Sequence, residues 1–165
     1  LIDDILAFSM VSQAAMHKDS FSMNKVVADV LKLLAVKQEY PAIKIKVQEE
    51  MPNAYGDQKM VAQVVQNLLT NALKYTKDVE NPSVEIGYTQ EADKGYYFVK
   101  DNGIGFDQIH EKRIFKLFNR LVSDAYEGSG IGLTIAKRIV KKHNGSIKVK
   151  SEVGVGSTFL FNLES

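Results

Sequence analysis

Two glycine-rich turns enclose one polar stretch of this chain, and they constrain its fold more than any other feature. Asp101-Asn102-Gly103-Ile104-Gly105-Phe106 opens the stretch and Gly128-Ser129-Gly130-Ile131-Gly132-Leu133 closes it. The apolar, aromatic residues 96–99 read as a buried strand, and the residues after Gly132 recur with a helical period. The stretch therefore joins a strand end to a helix start, as a lid held at two roots. Glycine lets backbone come close to a ligand, and the free N–H groups at a helix start attract anions, phosphate above all. The pattern points to a nucleotide. It is not a common phosphate loop, because residues 128–132 lack the Gly-Lys-Ser/Thr ending and Gly103-x-Gly105 has no third glycine at dinucleotide spacing.

A third segment, Gln66-Asn67-Leu68-Leu69-Thr70-Asn71-Ala72-Leu73-Lys74-Tyr75, supports the same reading. Asp57 is placed to cap a helix whose Val61, Val64, Val65, Leu68, Leu69, Ala72 and Leu73 face inward. Helical spacing then puts Asn67, Asn71 and Lys74 together on another face. Asparagine inside a helix costs about half a kcal/mol against alanine, so two of them one turn apart suggest use.

The remaining elements follow from pattern. Ser22 caps a helix over residues 23–38, with Val26, Val27, Val30, Leu31 and Leu34 inside. Ile43, Ile45 and Val47 alternate with lysines as a strand with one wet face. Residues 84–88 and 96–100 make a hairpin around a turn at 91–95. A helix over 131–143 buries Ile131, Ile135, Ile139 and Val140, while Lys137, Arg138, Lys141 and Lys142 read as a solvated face. Strands over 146–150 and 158–163 flank Gly154-Val155-Gly156, whose glycines the turn alone requires. His17, His110 and His143 read as solvated, since no further ligands accompany them for a metal site.

With 165 residues and 45% hydrophobic content the chain can bury a core as one domain. A net charge of +1 gives no reason to expect nucleic acid or an acidic membrane surface. There is no cysteine, so disulfides and cysteine-based zinc sites are excluded, and no apolar run approaches the ~20 residues needed to span a bilayer. The expected fold is α+β: one layer of mixed, mostly antiparallel sheet with three helices on one face, preceded by a short helix over residues 1–15.

Taken in order, Asn67/Asn71/Lys74/Tyr75, Asp101-x-Gly103-x-Gly105, Ile114-Phe115-Lys116-Leu117-Phe118 and Gly128-x-Gly130-x-Gly132 resemble the asparagine, first glycine, phenylalanine and second glycine boxes of sensor histidine kinases. The lid is most similar to the phytochrome-type branch. Leu1-Ile2-Asp3-Asp4-Ile5-Leu6-Ala7-Phe8-Ser9 resembles the end of that family's dimerising hairpin. The resemblance implies a division into residues 1–19, hairpin end and linker, and residues 20–165, a two-layer Bergerat-type ATP-binding domain. It also implies that the phosphate-accepting histidine lies upstream, outside the chain, and that this part is cytoplasmic, in a parent either soluble or membrane-anchored. The implied partners are that hairpin, a second copy of the parent protein and a response regulator.

The same resemblance assigns roles. Asp101 would accept a hydrogen bond from the adenine amine, with Gly103 and Gly105 letting backbone pass the base. Asn71 would hold magnesium, with Asn67 one turn away beside the metal and phosphates. Lys74 would meet phosphate and Tyr75 would cover ribose or base. Gly128, Gly130, Ile131, Gly132 and Leu133 would bare N–H groups to phosphate. Phe115 and Phe118 would anchor the lid, and Arg120, or less favourably Lys116, would reach the terminal phosphate. Related ATPases place a glutamate one turn before the metal-binding asparagine as a general base; here Asn67 stands there, and an amide cannot take the proton. Transfer to a histidine is thus favoured over hydrolysis. A serine kinase of the anti-sigma-factor type and a nucleotide-binding relay without catalysis are the alternatives.

Overall fold

The computed structural model describes residues 15–116 and 132–164, together with Leu6, Ser9 and Met10. The expected hairpin end over residues 1–15 therefore lies almost wholly outside the described residues.

Ser22 has extended backbone and its hydroxyl accepts from Lys25 N–H, which starts α1, Met23–Leu33. Met23, Val26, Val27 and Val30 are its buried face. The helix does not run to residue 38. Ala35 turns left-handed at φ 51°, and a separate short helix α2, Val36–Glu39, follows. The reason is burial. Continued helix would place Val36 opposite Val27, pointing away from the core, whereas the break leaves Val36 only 5% exposed.

Asp57 likewise caps α3, Gln58–Thr76, accepting from Met60 N–H at 3.1 Å. Val61, Val64, Leu68 and Leu69 on its inner face are fully buried. At about 2–5 kcal/mol for truncating such a leucine to alanine, this face is the main tie between helix layer and sheet. The last helix, α4, is Gly132–Lys142, with Ile135, Ala136, Ile139 and Val140 inside.

The strands are β1 Asp19–Phe21, β2 Lys44–Val47, β3 Ala54–Gly56, β4 Ser83–Glu91, β5 Lys94–Asp101, β6 Ile147–Glu152 and β7 Gly156–Phe161. Five of them form one sheet in the order β2-β4-β5-β7-β6, in which only β2 and β4 run parallel. Val84, Ile86, Tyr97, Val99, Val149, Phe159 and Phe161 point from it into the shared core. The turn joining β4 and β5 is tighter than the pattern suggests. Glu91 pairs with Lys94, leaving Ala92 and Asp93 between them with Ala92 at φ 54°.

Two features were not legible beforehand. β1 and β3 form a separate small antiparallel sheet, Asp19 opposite Gly56 and Phe21 opposite Ala54, which pins the segment before α1 to the start of α3. The edge strand β6 is also covered. The Gln108 amide donates to Val149 C=O at 2.8 Å and accepts from Ser151 N–H at 2.7 Å, while Glu111 accepts from Val149 N–H at 3.2 Å. Side chains thus occupy the edge that another strand would otherwise pair with. The face of the sheet away from the helices is wet, and Lys44, Lys46, Glu85, Lys100 and Lys150 line an open cavity of ≈ 650 Å³ there.

Candidate nucleotide site

The C-terminal half of α3 meets the loop that leaves β5. Ile104 N–H donates to Tyr75 C=O at 3.1 Å. Gly103 faces the same carbonyl so closely that a Cβ there would lie 2.5 Å from it and 2.8 Å from Asp101 Oδ1. The asparagine helix and the first glycine turn are thereby fitted to one another. Gly105 makes a further close approach within the chain. It sits at φ +66°, and its missing Cβ makes room for Glu152 C=O, which a Cβ would approach to 2.0 Å. Its close approach is to the β6–β7 hairpin.

Asp101 ends β5 and is 5% exposed. Burial pushes its carboxyl up to about 6, against the opposing pull of the Gly103 and Ser157 backbone N–H groups. The Gly103 bond to Oδ1 measures 2.8 Å. A buried carboxylate without a cation beside it suits a neutral donor such as an aromatic amine.

Asn67 brings α3 to α4. Its Nδ2 donates to Gly132 C=O at 3.1 Å, and its amide oxygen accepts from none of the described residues. Asn71 is half-buried, and its amide takes no hydrogen-bond partner among the described residues. A side-chain carbonyl in that condition fits a magnesium ion that keeps most of its waters. No group of three or more His, Cys, Asp or Glu side chains gathers as a metal site among the described residues. Lys74 Nζ lies 5.7 Å from the Tyr75 ring centroid. Leu133 is half-buried at the start of α4, packed against the core.

The lid's two roots are fixed. Phe115 is 6% exposed and meets Phe159 edge to face at 6.1 Å, while Thr134 Oγ1 on α4 donates to Phe115 C=O at 3.0 Å. Lys116 is exposed at the end of the described root. Phe118, Arg120, Gly128, Gly130 and Ile131 lie outside the described residues. Lys137, read as solvated, stacks over the Phe115 ring at 5.8 Å.

Residues 56–165 match the family model described as histidine kinase-, DNA gyrase B- and HSP90-like ATPase. The chain belongs to this ATPase family. Within it, the chain is 37% identical to cyanobacterial phytochrome B of a Nostoc species over 99% of its own length and 22% of that protein. It is 34% identical to the methanogenesis regulatory histidine kinase FilI of Methanothrix harundinacea, over 99% of this chain and 18% of that one. The chain thus spans about a fifth of the length of these curated relatives. Among solved structures, the mycobacterial sensor histidine kinase MprB superposes with a TM-score of 0.75 at 24% identity, covering 89% of this chain and 97% of that one. Full-length ShkA in complex with AMPPNP gives 0.78 at 24% identity over 97% of this chain and 34% of the other. The ATPase-family fold is therefore the two-layer sandwich expected, a mostly antiparallel five-strand sheet under a helix layer.

Three residues of this ATPase domain carry more than the pattern assigned them. Gly156 is not needed for its turn alone: at φ +138° a Cβ would meet Asp101 C=O at 2.1 Å, so its lack of a side chain lets the hairpin lie against the end of β5. Gly154, at φ +79° with open space around it, is the turn glycine. Ser157 is 8% exposed opposite Asp101, and its hydroxyl lies 2.7 Å from Ser151 Oγ. A polar residue alternating with Phe159 and Phe161 on the inner face was its signal. His143 is not solvated but fully buried, at 0% exposure. Its Nε2 accepts from Asp57 N–H at 3.0 Å and its Nδ1 donates to Ile139 C=O at 2.8 Å. The signal was its place one turn beyond Ile139, on the inward stripe of α4.

Proposed function

We propose that this chain is the ATP-binding catalytic domain of a two-component sensor histidine kinase, which moves the γ-phosphate of ATP to a histidine on a dimerisation hairpin for relay to a response-regulator aspartate. One observation carries the reading: the amides of Asn67 and Asn71 share a helix that is fitted at once to the Asp101 loop and to Gly132 at the start of α4. Asp101 then selects adenine, because its carboxylate accepts from the exocyclic amine, and guanine would set a carbonyl against it. A buried acceptor facing the wrong base costs about 1–3 kcal/mol. Lys74 offers charge to phosphate, and the N–H groups of the second glycine turn do the same through backbone.

Asn71 would hold a magnesium ion through its amide oxygen, and that ion would supply charge neutralisation to the phosphates. No carboxylate stands one turn before Asn71 to take a proton from water. A histidine acceptor brings its own nucleophilic nitrogen and needs only a phosphate held in place. The relatives' names support a kinase, and the parent protein's partners and cytoplasmic location belong to the same proposal. No helix among the described residues is long and apolar enough to cross a membrane.

The test is transfer of label from γ-labelled ATP with magnesium, comparing this chain with a longer one that carries the native upstream hairpin. Acid-labile, alkali-stable label confined to the longer chain is the expected result. Acid-stable label on a partner would replace this reading with the serine kinase. Bound nucleotide without label in either chain would replace it with the relay module.

A further inference from the structure

α3 and α4 lie against each other, and each offers the candidate site residues from one end: Asn71 and Lys74 late on α3, Gly132 at the start of α4. Their opposite ends meet at one buried polar joint. Asp57, 7% exposed, caps α3 through Oδ1 to Met60 N–H, and its own N–H donates to His143 Nε2, just past the end of α4. The other carboxylate oxygen, Oδ2, accepts from His17 N–H at 3.0 Å, which reaches back into the segment leading to β1. His143 C=O accepts from Glu164 N–H at 2.9 Å, so the final residues are tied in as well. Gly56 packs against the imidazole, where a Cβ would lie 2.6 Å from Cδ2. The ring has no room to turn, and its two hydrogen bonds fix which nitrogen carries the proton.

We infer that Asp57 and His143 are positioning residues, a joint through which the linker at His17 and the two site-bearing helices act on one another. Along α3, Asn71 stands about 21 Å from Asp57, and along α4, Gly132 stands about 17 Å from His143, at 1.5 Å per residue. Two stiff helices packed side by side, braced at the site end by the Asn67–Gly132 bond and at the other by the Asp57–His143 bond, pass a change in their angle at the ligand end to the joint. Because close-packed interiors deform little, that change appears at the contacts that lead out of the joint, the His17 bond to Asp57 Oδ2 among them. Asp57 is suited to the task because it has two acceptor oxygens and uses one inward and one outward. Burial disfavours its charge, but the N–H groups of His17, Met60 and Lys59, with His143 nearby, outweigh it and hold the carboxyl below the usual range.

This inference rests on the reading of α3 and α4 as the helices that hold ATP, and its test separates the two. ADP with magnesium is added to the chain while amide exchange is followed residue by residue by NMR, together with ADP affinity and melting temperature. In the wild type, ADP slows exchange at His17 and Asp57. Asp57→Asn keeps the shape and a cap of equal rank but turns a donor toward His17 N–H. ADP affinity and melting temperature stay close to wild type, His17 exchange quickens about tenfold or more, and its response to ADP disappears. Asp57→Ser, which caps with a single oxygen, gives the same pattern. Wild type that binds ADP with no change at His17 and Asp57 would overturn the joint alone, as would an Asn variant that responds like wild type. A chain that binds no ADP would overturn the ATP reading, and the joint with it.

Discussion

Replacing Asp101 with asparagine should move stability and nucleotide affinity in opposite directions. The free carboxyl titrates at 3.8 and the buried one at about 6. The folded chain holds this proton more tightly than the unfolded chain, so the group's contribution to stability is fully present below pH 3.8 and is lost as pH rises through 6. At about 1.4 kcal/mol per pH unit, ionised Asp101 costs the fold about 3 kcal/mol at pH 7.5. Asp101→Asn removes that charge and can keep the Gly103 bond through its amide oxygen. The new NH2 group faces the Ser157 N–H side, which returns about 1 kcal/mol. The net expectation is a gain of about 2 kcal/mol at pH 7.5, or about 4–8 °C in melting temperature for a chain of this size.

At pH 4 the gain should be gone and the variant should melt at or slightly below the wild type, because wild-type Asp101 is then protonated while the cost of about 1 kcal/mol at the Ser157 N–H remains. Nucleotide affinity should fall at pH 7.5 by about ten- to a hundredfold, the loss of one hydrogen bond to a charged acceptor. The assays are melting curves from pH 4 to 8 and titration calorimetry with ATP. An Asn variant no more stable than wild type at pH 7.5 would refute the burial argument. Unchanged ATP affinity would refute the adenine assignment.

Two further predictions concern residues with sharply different surroundings. Asn71→Ala should leave melting temperature within about 2 °C, since no described partner is lost, yet lower magnesium-dependent transfer by about a hundredfold or more in the label assay. Gly156→Ala should destabilise by about 3 kcal/mol or more in urea unfolding, because its Cβ would meet Asp101 C=O at 2.1 Å. Gly154→Ala, with φ +79° and nothing within 4 Å, should cost only about 1–2 kcal/mol.

What could be read beforehand was what local chemistry encodes. The inward stripe from Val61 to Leu73, the alternation in β2 and the apolar run over 96–99 each repeat often enough to define a buried face, and Ser22 and Asp57 announce their helices through side-chain oxygens. The motifs point to the candidate site for a related reason: glycine and asparagine at those positions are mildly costly unless something uses them. What escaped depends on partners distant in sequence. β1 and β3 have three residues each, too few for a period to show, and they pair across more than thirty positions. Gly156 looked like a turn glycine because its real constraint is a carbonyl on β5. His143 looked exposed because its residue type was weighed above its place on the helix stripe, and its partner lies 86 positions away. The break at Ala35 is a tertiary choice, made to bury Val36 against the preference of the local helix.

Asn67 shows how the two kinds of information combine. Its position is where related ATPases keep a glutamate that activates water, and its amide reads from sequence as the absence of a base. The structure adds a reason for an amide: Nδ2 donates to Gly132 C=O, bracing the first turn of α4 against α3. A carboxylate has no N–H to give, so Asn67→Asp would set two acceptors about 3 Å apart. Leaving that pair unsatisfied should cost about 1–3 kcal/mol, or about 2–12 °C in melting temperature, and the loss should appear without nucleotide as well as with it. If Asn67 served only as a ligand contact, the nucleotide-free melting temperature would not move, and that result would refute the brace. With the brace in place, one residue both holds the start of α4 and withholds a base from water, which on the proposed reading is the combination a domain needs to keep ATP intact until a histidine arrives.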